Sequence, residues 1–184
     1  MQITKTSLQD VLLISNPRYG DERGWFAEIV RTGELAAAAG RPIEFVQINQ
    51  SVSARHTLRG LHSQNPHAQG KLIMVSAGAV LDAAVDLRQS SPTFKRWALF
   101  ELSAQNGQQL WLPEGFAHGF LSLEEQTHVI YYCTGSVYSK ESEQCLRFDD
   151  PEIGITWPLE GITDLKLSDK DRAGLPFAQI RLFA

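Results

Sequence analysis

Long apolar runs, an excess of basic residues and cysteine are all scarce in this chain of 184 residues. No stretch approaches the roughly 20 apolar residues that a membrane-spanning helix needs, so no membrane is expected among its partners. The opening Met1-Gln2-Ile3-Thr4-Lys5-Thr6 lacks the apolar segment of a secretory signal. Lys and Arg number 17 against 21 Asp and Glu, a net charge of -4 that argues against a generic nucleic-acid binder. A local basic pocket for phosphate remains open, because net charge says nothing about clustering. The two cysteines, Cys133 and Cys145, stand at no metal-ligand spacing and read as buried thiols of a cytoplasmic protein rather than as a disulfide. Glycine loops of the Walker or Rossmann type are missing too: Gly33, Gly40 and Gly60 are isolated.

What is present is a run of short alternating segments punctuated by glycine and proline. Residues 1–184 make one domain with room for a substantial core. In Phe45–Ser53, Val46, Ile48 and Val52 share one face, and Gln47, Asn49, Ser51 and Ser53 share the other. That period of two predicts a strand. Leu81, Ala83, Val85 and Leu87 define a second, with Asp82 and Asp86 turned to solvent or to a polar barrel interior. Further strands are predicted at Val11–Ser15, Trp25–Val30, Lys71–Ala77, Arg96–Leu102, Gln108–Leu112, Ala117–Leu123, His128–Thr134 and Gln144–Phe148. The first half holds one helix, capped by Thr32, running through Glu34–Ala39 and ended by Gly40 and Pro42. Many short strands joined by turns predict a sandwich or barrel. The turn-rich tail after Pro151 is expected to wrap it.

Chemistry concentrates in two segments. Leu58-Arg59-Gly60-Leu61-His62-Ser63-Gln64, followed by Gln69-Gly70-Lys71-Leu72, sets one histidine between two cations. Such a histidine can act as a base on a substrate that brings its own negative charge. Pro113-Glu114-Gly115-Phe116-Ala117-His118-Gly119-Phe120 supplies a second histidine behind a turn. It is similar to the second motif of metal-binding cupins, but the first motif's His-x-His and glutamate are replaced by His62-Ser63-Gln64. One histidine from each motif falls short of the three or more ligands such a metal takes, so no metal is expected. His56, His67 and His128 default to structural or surface roles. Asp149-Asp150-Pro151 reads as a turn, Glu124-Glu125 as a solvated loop and Ser168-Asp169-Lys170-Asp171 as helix capping.

Taken in order, these segments resemble the dTDP-4-dehydrorhamnose 3,5-epimerase family. The resemblance runs from about Asp21 to Asp171 through Asp21–Glu28, Gln47–Ser53, Leu58–His62, Gln69–Leu72, Gly78–Arg88, Ser90–Phe94, Pro113–Phe120, Asp150-Pro151, Ile155–Pro158 and Leu167–Asp171. It implies a mainly β cupin-type double-stranded β-helix, or jelly roll, that carries no metal or other cofactor and dimerises by exchanging strands. The implied substrate is a dTDP-sugar. His62 matches the family's base, Asp171 the carboxylate that orients it, and a tyrosine the general acid. Counted forward from His118 that tyrosine is Tyr131; counted backward from Tyr138 and Glu143 it is Tyr132. A turn at Gly135-Ser136 absorbs an insertion more easily than a strand, which favours Tyr131.

The family's binding positions fall on Arg23, Glu28, Gln47, Asn49, Arg59, Lys71, His118, Glu143 and Lys170, with Arg23 expected to reach across the dimer and Lys71 to stabilise an oxyanion. Lys140 departs from the proline common in the family's Tyr-x-Pro-x-x-Glu segment. The implied activity is epimerisation at C3 and C5 of dTDP-4-dehydro-6-deoxy-D-glucose. A mono-epimerase or ketoisomerase on a related sugar, a metal-dependent cupin enzyme and a non-catalytic sugar-binding cupin remain the alternatives.

Overall fold

A computed structural model describes residues 1–184. The strands are β1 (Gln2–Lys5), β2 (Leu12–Ser15), β3 (Tyr19–Asp21), β4 (Gly24–Phe26), β5 (Gln47–Ser53), β6 (Leu58–Gln64), β7 (Gln69–Ala77), β8 (Ala79–Asp86), β9 (Trp97–Ser103), β10 (Gln109–Leu112), β11 (Phe116–Ser122), β12 (Thr127–Gly135) and β13 (Glu143–Cys145). Helix α1 spans Thr32–Ala39 and α2 spans Asp169–Arg172. One sheet runs β1-β2-β10-β7-β12-β5 and the second β13-β6-β11-β8-β9, with β3 and β4 as a separate hairpin. Neighbouring strands are antiparallel throughout. This is the expected jelly roll, two sheets facing each other across a shared interior.

Alternation decides which side chains meet inside. Ile73 and Val75 of β7, Val80 and Ala84 of β8, Phe116 and Phe120 of β11 and Val129 of β12 form the buried core between the sheets. Their in-phase neighbours Lys71, His118 and Tyr131 continue the same face towards one end, where the packing opens into a cavity. The opposite phase packs outward. Leu72 joins Leu12, Ile14, Trp111 and Leu35 of α1, while Ala83, Val85 and Leu87 pack under Ile153, Phe177 and Ile180 of the tail. The tail thus wraps the second sheet as expected, through bridges of Thr57 with Lys166, Leu146 with Leu175 and Arg88 with Phe183.

Three expectations need correction. Thr32 does not cap α1: Arg31 holds the cap position with extended backbone and no side-chain bond, although it pairs with Glu34 at 2.8 Å. Gly40 ends the helix as expected, in the left-handed conformation at φ 66°. The strand expected over Trp25–Val30 stops at Phe26. Beyond it, Asn16 Nδ2 and Gln109 Nε2 donate to the Ile29 carbonyl at 2.6 and 2.7 Å, so side chains rather than a neighbouring strand satisfy that backbone. The strand expected at Gln144–Phe148 is shorter, Glu143–Cys145: Leu146 still exchanges bonds with Leu61 of β6, but the Arg147 N–H turns to the Leu175 carbonyl of the tail.

Strand β5 alternates as read, and the assembled sheet decides which face turns inward. Its polar face, Gln47, Asn49 and Ser51, lines the interior cavity. Val46, Ile48 and Val52 are exposed, Ile48 by 61%. The strand also lies at the edge of its sheet.

Candidate active site

The cavity measures about 430 Å³, within the range typical of small-molecule sites. Strands β6 and β11 carry its floor, with His62 directly opposite His118. Gly60 permits that closeness. It lies at φ 112°, and a Cβ there would come within 2.6 Å of the Gly119 Cα and 2.7 Å of the His118 carbonyl.

His62 Nε2 is 2.6 Å from Asp171 Oδ1. The same oxygen accepts the Gly60 N–H at 3.3 Å, and Ser168 Oγ donates to Oδ2 at 2.7 Å. Ser168 caps α2 as well, accepting from the Asp171 N–H at 3.1 Å. The capping motif read from the sequence is therefore real, and it also fixes the carboxylate behind the histidine. Burial alone would raise the Asp171 carboxyl; its bonds to His62 and Ser168 more than offset that and hold it below the usual range. With Nε2–H directed at a carboxylate, Nδ1 is the nitrogen left to take a proton.

The opposite wall comes from β12 and β5. Tyr131 lines the cavity, its hydroxyl 3.0 Å from Ser51 Oγ and its ring edge-on to His118 at 6.1 Å. Burial raises its phenol well above the ordinary value, so it holds its proton. Tyr132 faces away and packs against Phe45, with ring centroids 5.4 Å apart.

Lys71 lines the cavity with no hydrogen bond to any carboxylate. Burial pushes its ammonium down, while Cys133, Asp82 and Glu143 pull it back up. His118 and Asp82 are both buried, with Nε2 and Oδ2 2.8 Å apart. Burial drives each towards its neutral form, His118 down and Asp82 up. Asp82 Oδ1 has no hydrogen-bond partner. Of the two orientations left open for Asp82, the barrel interior is the one observed.

Arg59 also lines the cavity, anchored by Nε to Ser53 Oγ at 3.0 Å and by Nη2 to the Val52 carbonyl at 3.1 Å. Gln47 donates to Asn49 Oδ1 at 2.8 Å and accepts the Tyr138 N–H at 2.8 Å. At the rim Glu143 binds Lys170 at 2.7 Å and the Tyr138 hydroxyl at 3.1 Å. Lys140 has not displaced this cluster. Lys170 and Asp171 stand one contact behind the lining residues.

Arg23 and Glu28 are not brought into this cavity. Arg23 sits at the β3–β4 turn, paired with Asp21 and 85% exposed, and Glu28 pairs with Arg31. His56, His67 and His128 lie outside the cavity as well, His56 bonded to Asp164 at 2.6 Å. Sequence reasoning missed Cys145, whose Sγ is 3.9 Å from Asp171 Oδ1, and the Ser51 contact to Tyr131. No local spacing signals either, since both arise from strand pairing.

Residues 5–179 match the profile of the dTDP-4-dehydrorhamnose 3,5-epimerase family. The enzyme of that name from Pseudomonas aeruginosa is 45% identical over 183 residues, covering 100% of this chain and 99% of the relative. A crystal structure of the Legionella pneumophila dTDP-6-deoxy-D-glucose-3,5-epimerase in complex with dTDP-4-keto-L-rhamnose superposes with a TM-score of 0.92 at 40% identity, covering 98% and 94% of the two chains. A 3'-monoepimerase from Streptomyces bikiniensis in complex with dTDP-quinovose reaches a TM-score of 0.84 at 32% identity, covering 94% and 86%. With such agreement over nearly its whole length, the chain belongs to the dTDP-4-dehydrorhamnose 3,5-epimerase family.

Proposed function

We propose that this chain epimerises dTDP-4-dehydro-6-deoxy-D-glucose at C3 and C5, giving dTDP-4-dehydro-L-rhamnose. The observation that carries this reading is a carboxylate-held histidine and a protonated tyrosine lining one cavity in a family member. The 4-keto group acidifies the hydrogens on C3 and C5, because loss of either leaves an enolate. His62 Nδ1 takes the proton, and Asp171 stabilises the imidazolium that results. Negative charge develops on O4, and Lys71 is the cation available to it. Tyr131 returns a proton from the face opposite His62, so the centre inverts. Repeating the cycle at the second carbon completes the reaction. No electron leaves the substrate, so the chemistry asks for no redox cofactor.

Arg59 is assigned to the diphosphate, using remote binding energy to position the sugar. Gln47 and Asn49 are assigned to the nucleotide wall, and His118, Glu143 and Lys170 to the sugar pocket and its rim. Arg23 and Glu28 are assigned to the site of a partner subunit in a homodimer. What supports this is the exposed apolar face of edge strand β5 together with the hairpin residues Tyr19, Trp25 and Phe26, all exposed. The free thiols Cys133 and Cys145 fit a cytoplasmic setting, and no helix is long and apolar enough to cross a membrane.

A 3'-mono-epimerase is the second reading, favoured by the likeness to the Streptomyces bikiniensis protein. Product analysis separates the two. Proton NMR of the product formed from dTDP-4-dehydro-6-deoxy-D-glucose should show inversion at both carbons; inversion at C3 alone would establish the second reading.

A further inference from the structure

A thiol stands beside the His62–Asp171 pair without a hydrogen bond to the histidine. His62 Nε2, Asp171 Oδ1 and Cys145 Sγ all lie within 4.8 Å of one another, with Nε2 to Oδ1 at 2.6 Å and Sγ to Oδ1 at 3.9 Å. Cys145 comes from β13, which pairs with β6 so that Cys145 stands opposite His62. Asp171 comes from α2 of the tail. Three separate elements thus present an imidazole nitrogen, a carboxylate oxygen and a sulfur to one point. Asp171 and Cys145 are buried and His62 is partly exposed to the cavity, which leaves the histidine side as the way in.

From this geometry we infer that His62, Asp171 and Cys145 form a site for one thiophilic divalent cation of the Zn²⁺ class, and that the bound ion switches the enzyme off.

Zinc bonds of about 2.0–2.3 Å to nitrogen, oxygen and sulfur in a tetrahedron place ligand atoms roughly 3.3–3.6 Å apart. The observed separations straddle that range, so the His62–Asp171 contact widens by under about 1 Å and the sulfur closes in. Ser168 stays on Oδ2 and keeps the carboxylate oriented while Oδ1 turns to the metal. The fourth position is left for water. Magnesium and calcium, which prefer oxygen ligands, do not suit a set containing sulfur.

The proton balance explains the inhibition, and here the inference rests on the proposed role of His62. In the free protein Nε2 carries the ring proton and Nδ1 is the base. Cys145 is a free, buried thiol, and a metal takes it as the thiolate. Zinc forms one bond to Nε2, one to Sγ and one to Oδ1. The thiol proton is released to solvent and the Nε2 proton is relocated to Nδ1. The ring remains neutral, but Nδ1 no longer has a lone pair to offer C3–H or C5–H. No electron transfer is involved. This ion is distinct from a cupin's catalytic metal, and removing it activates.

The test uses the full chain, stripped with a chelator, and four metals. Free Zn²⁺ held by a metal buffer should inhibit turnover reversibly, while Mg²⁺ and Ca²⁺ should not. Co²⁺, added alone, should bind one per chain with tetrahedral visible bands and a near-ultraviolet sulfur-to-cobalt band. Cys145→Ser and Cys145→Ala should keep turnover near wild type and lose the sulfur band. Their sensitivity to Zn²⁺ should weaken by at least the roughly 10–100-fold that even an outer partner of a metal ligand is worth. Absence of the sulfur band in the wild type, or Zn²⁺ sensitivity unchanged in both variants, would overturn the site. A sulfur band without inhibition would leave the site standing and overturn the assignment of His62 as the base.

Discussion

Tyr131 and Tyr132 are adjacent on β12 and point into different compartments. The Tyr131 hydroxyl meets Ser51 in the cavity at 3.0 Å, while the Tyr132 ring packs on Phe45 under α1 at 5.4 Å. If Tyr131 delivers the proton opposite His62, its loss separates abstraction from inversion. In Tyr131→Phe, His62 still removes a proton and returns it to the same face. Solvent deuterium should therefore enter the sugar while net epimerisation falls by about 10²–10⁴-fold, the usual worth of general-acid help. Tyr132→Phe, which loses only a hydroxyl outside the cavity, should stay near wild type. A silent Tyr131→Phe with a crippled Tyr132→Phe would reverse the assignment.

If Asp171 acts through His62, its removal should alter the base and leave substrate affinity largely intact. Asp171→Asn keeps the shape but gives His62 a neutral partner that can present its amide N–H to Nε2, which favours the wrong tautomer. We expect a fall in kcat with KM changed little. Equal loss through KM alone would place Asp171 in binding instead.

Lys71 is the side chain assigned above to the developing oxyanion. Lys71→Met keeps the length of the side chain and removes the charge. Loss of a preorganised oxyanion contact costs about 10²–10³-fold in kcat, and deuterium uptake should fall in parallel because the enolate itself is destabilised. That parallel fall distinguishes Lys71 from Tyr131. Uptake at wild-type rate in Lys71→Met would remove it from the oxyanion role.

Much of this arrangement was legible in the chain. The periods of β5 and β8 are plain in the residues, and in the structure the alternation of β7, β11 and β12 puts Lys71, His118 and Tyr131 on the inner face. Other features depend on tertiary partners. Asp171 sits 109 residues from His62 and looks locally like part of a helix cap, which it also is. Cys145 reaches the base through the β13–β6 pairing, which no motif announces. The sense of β5 was hidden for a related reason: alternation shows two faces, and only the assembled sheet shows that the polar one turns inward. The strand expected over Trp25–Val30 ends early because Asn16 and Gln109 capture the Ile29 carbonyl.

The exposed apolar face of β5 offers a test of the proposed dimer. Ile48→Glu puts a charge at an exposed position that makes no core contact, so the isolated fold should tolerate it. In a dimer covering that face the charge would be buried without a partner, and sedimentation should show dissociation. Activity should fall with it, since Arg23 lies outside its own chain's cavity. A variant that sediments as the wild type and turns over normally would mean that this face is not the interface.

The central claim is that one histidine serves both carbons. Its most direct test is to incubate dTDP-4-dehydro-6-deoxy-D-glucose in D₂O with the wild type and with His62→Ala, counting deuterium at C3 and C5 by NMR. The account predicts label at both positions with the wild type and at neither with the folded His62→Ala protein. Label entering either position at near wild-type rate in His62→Ala would contradict it.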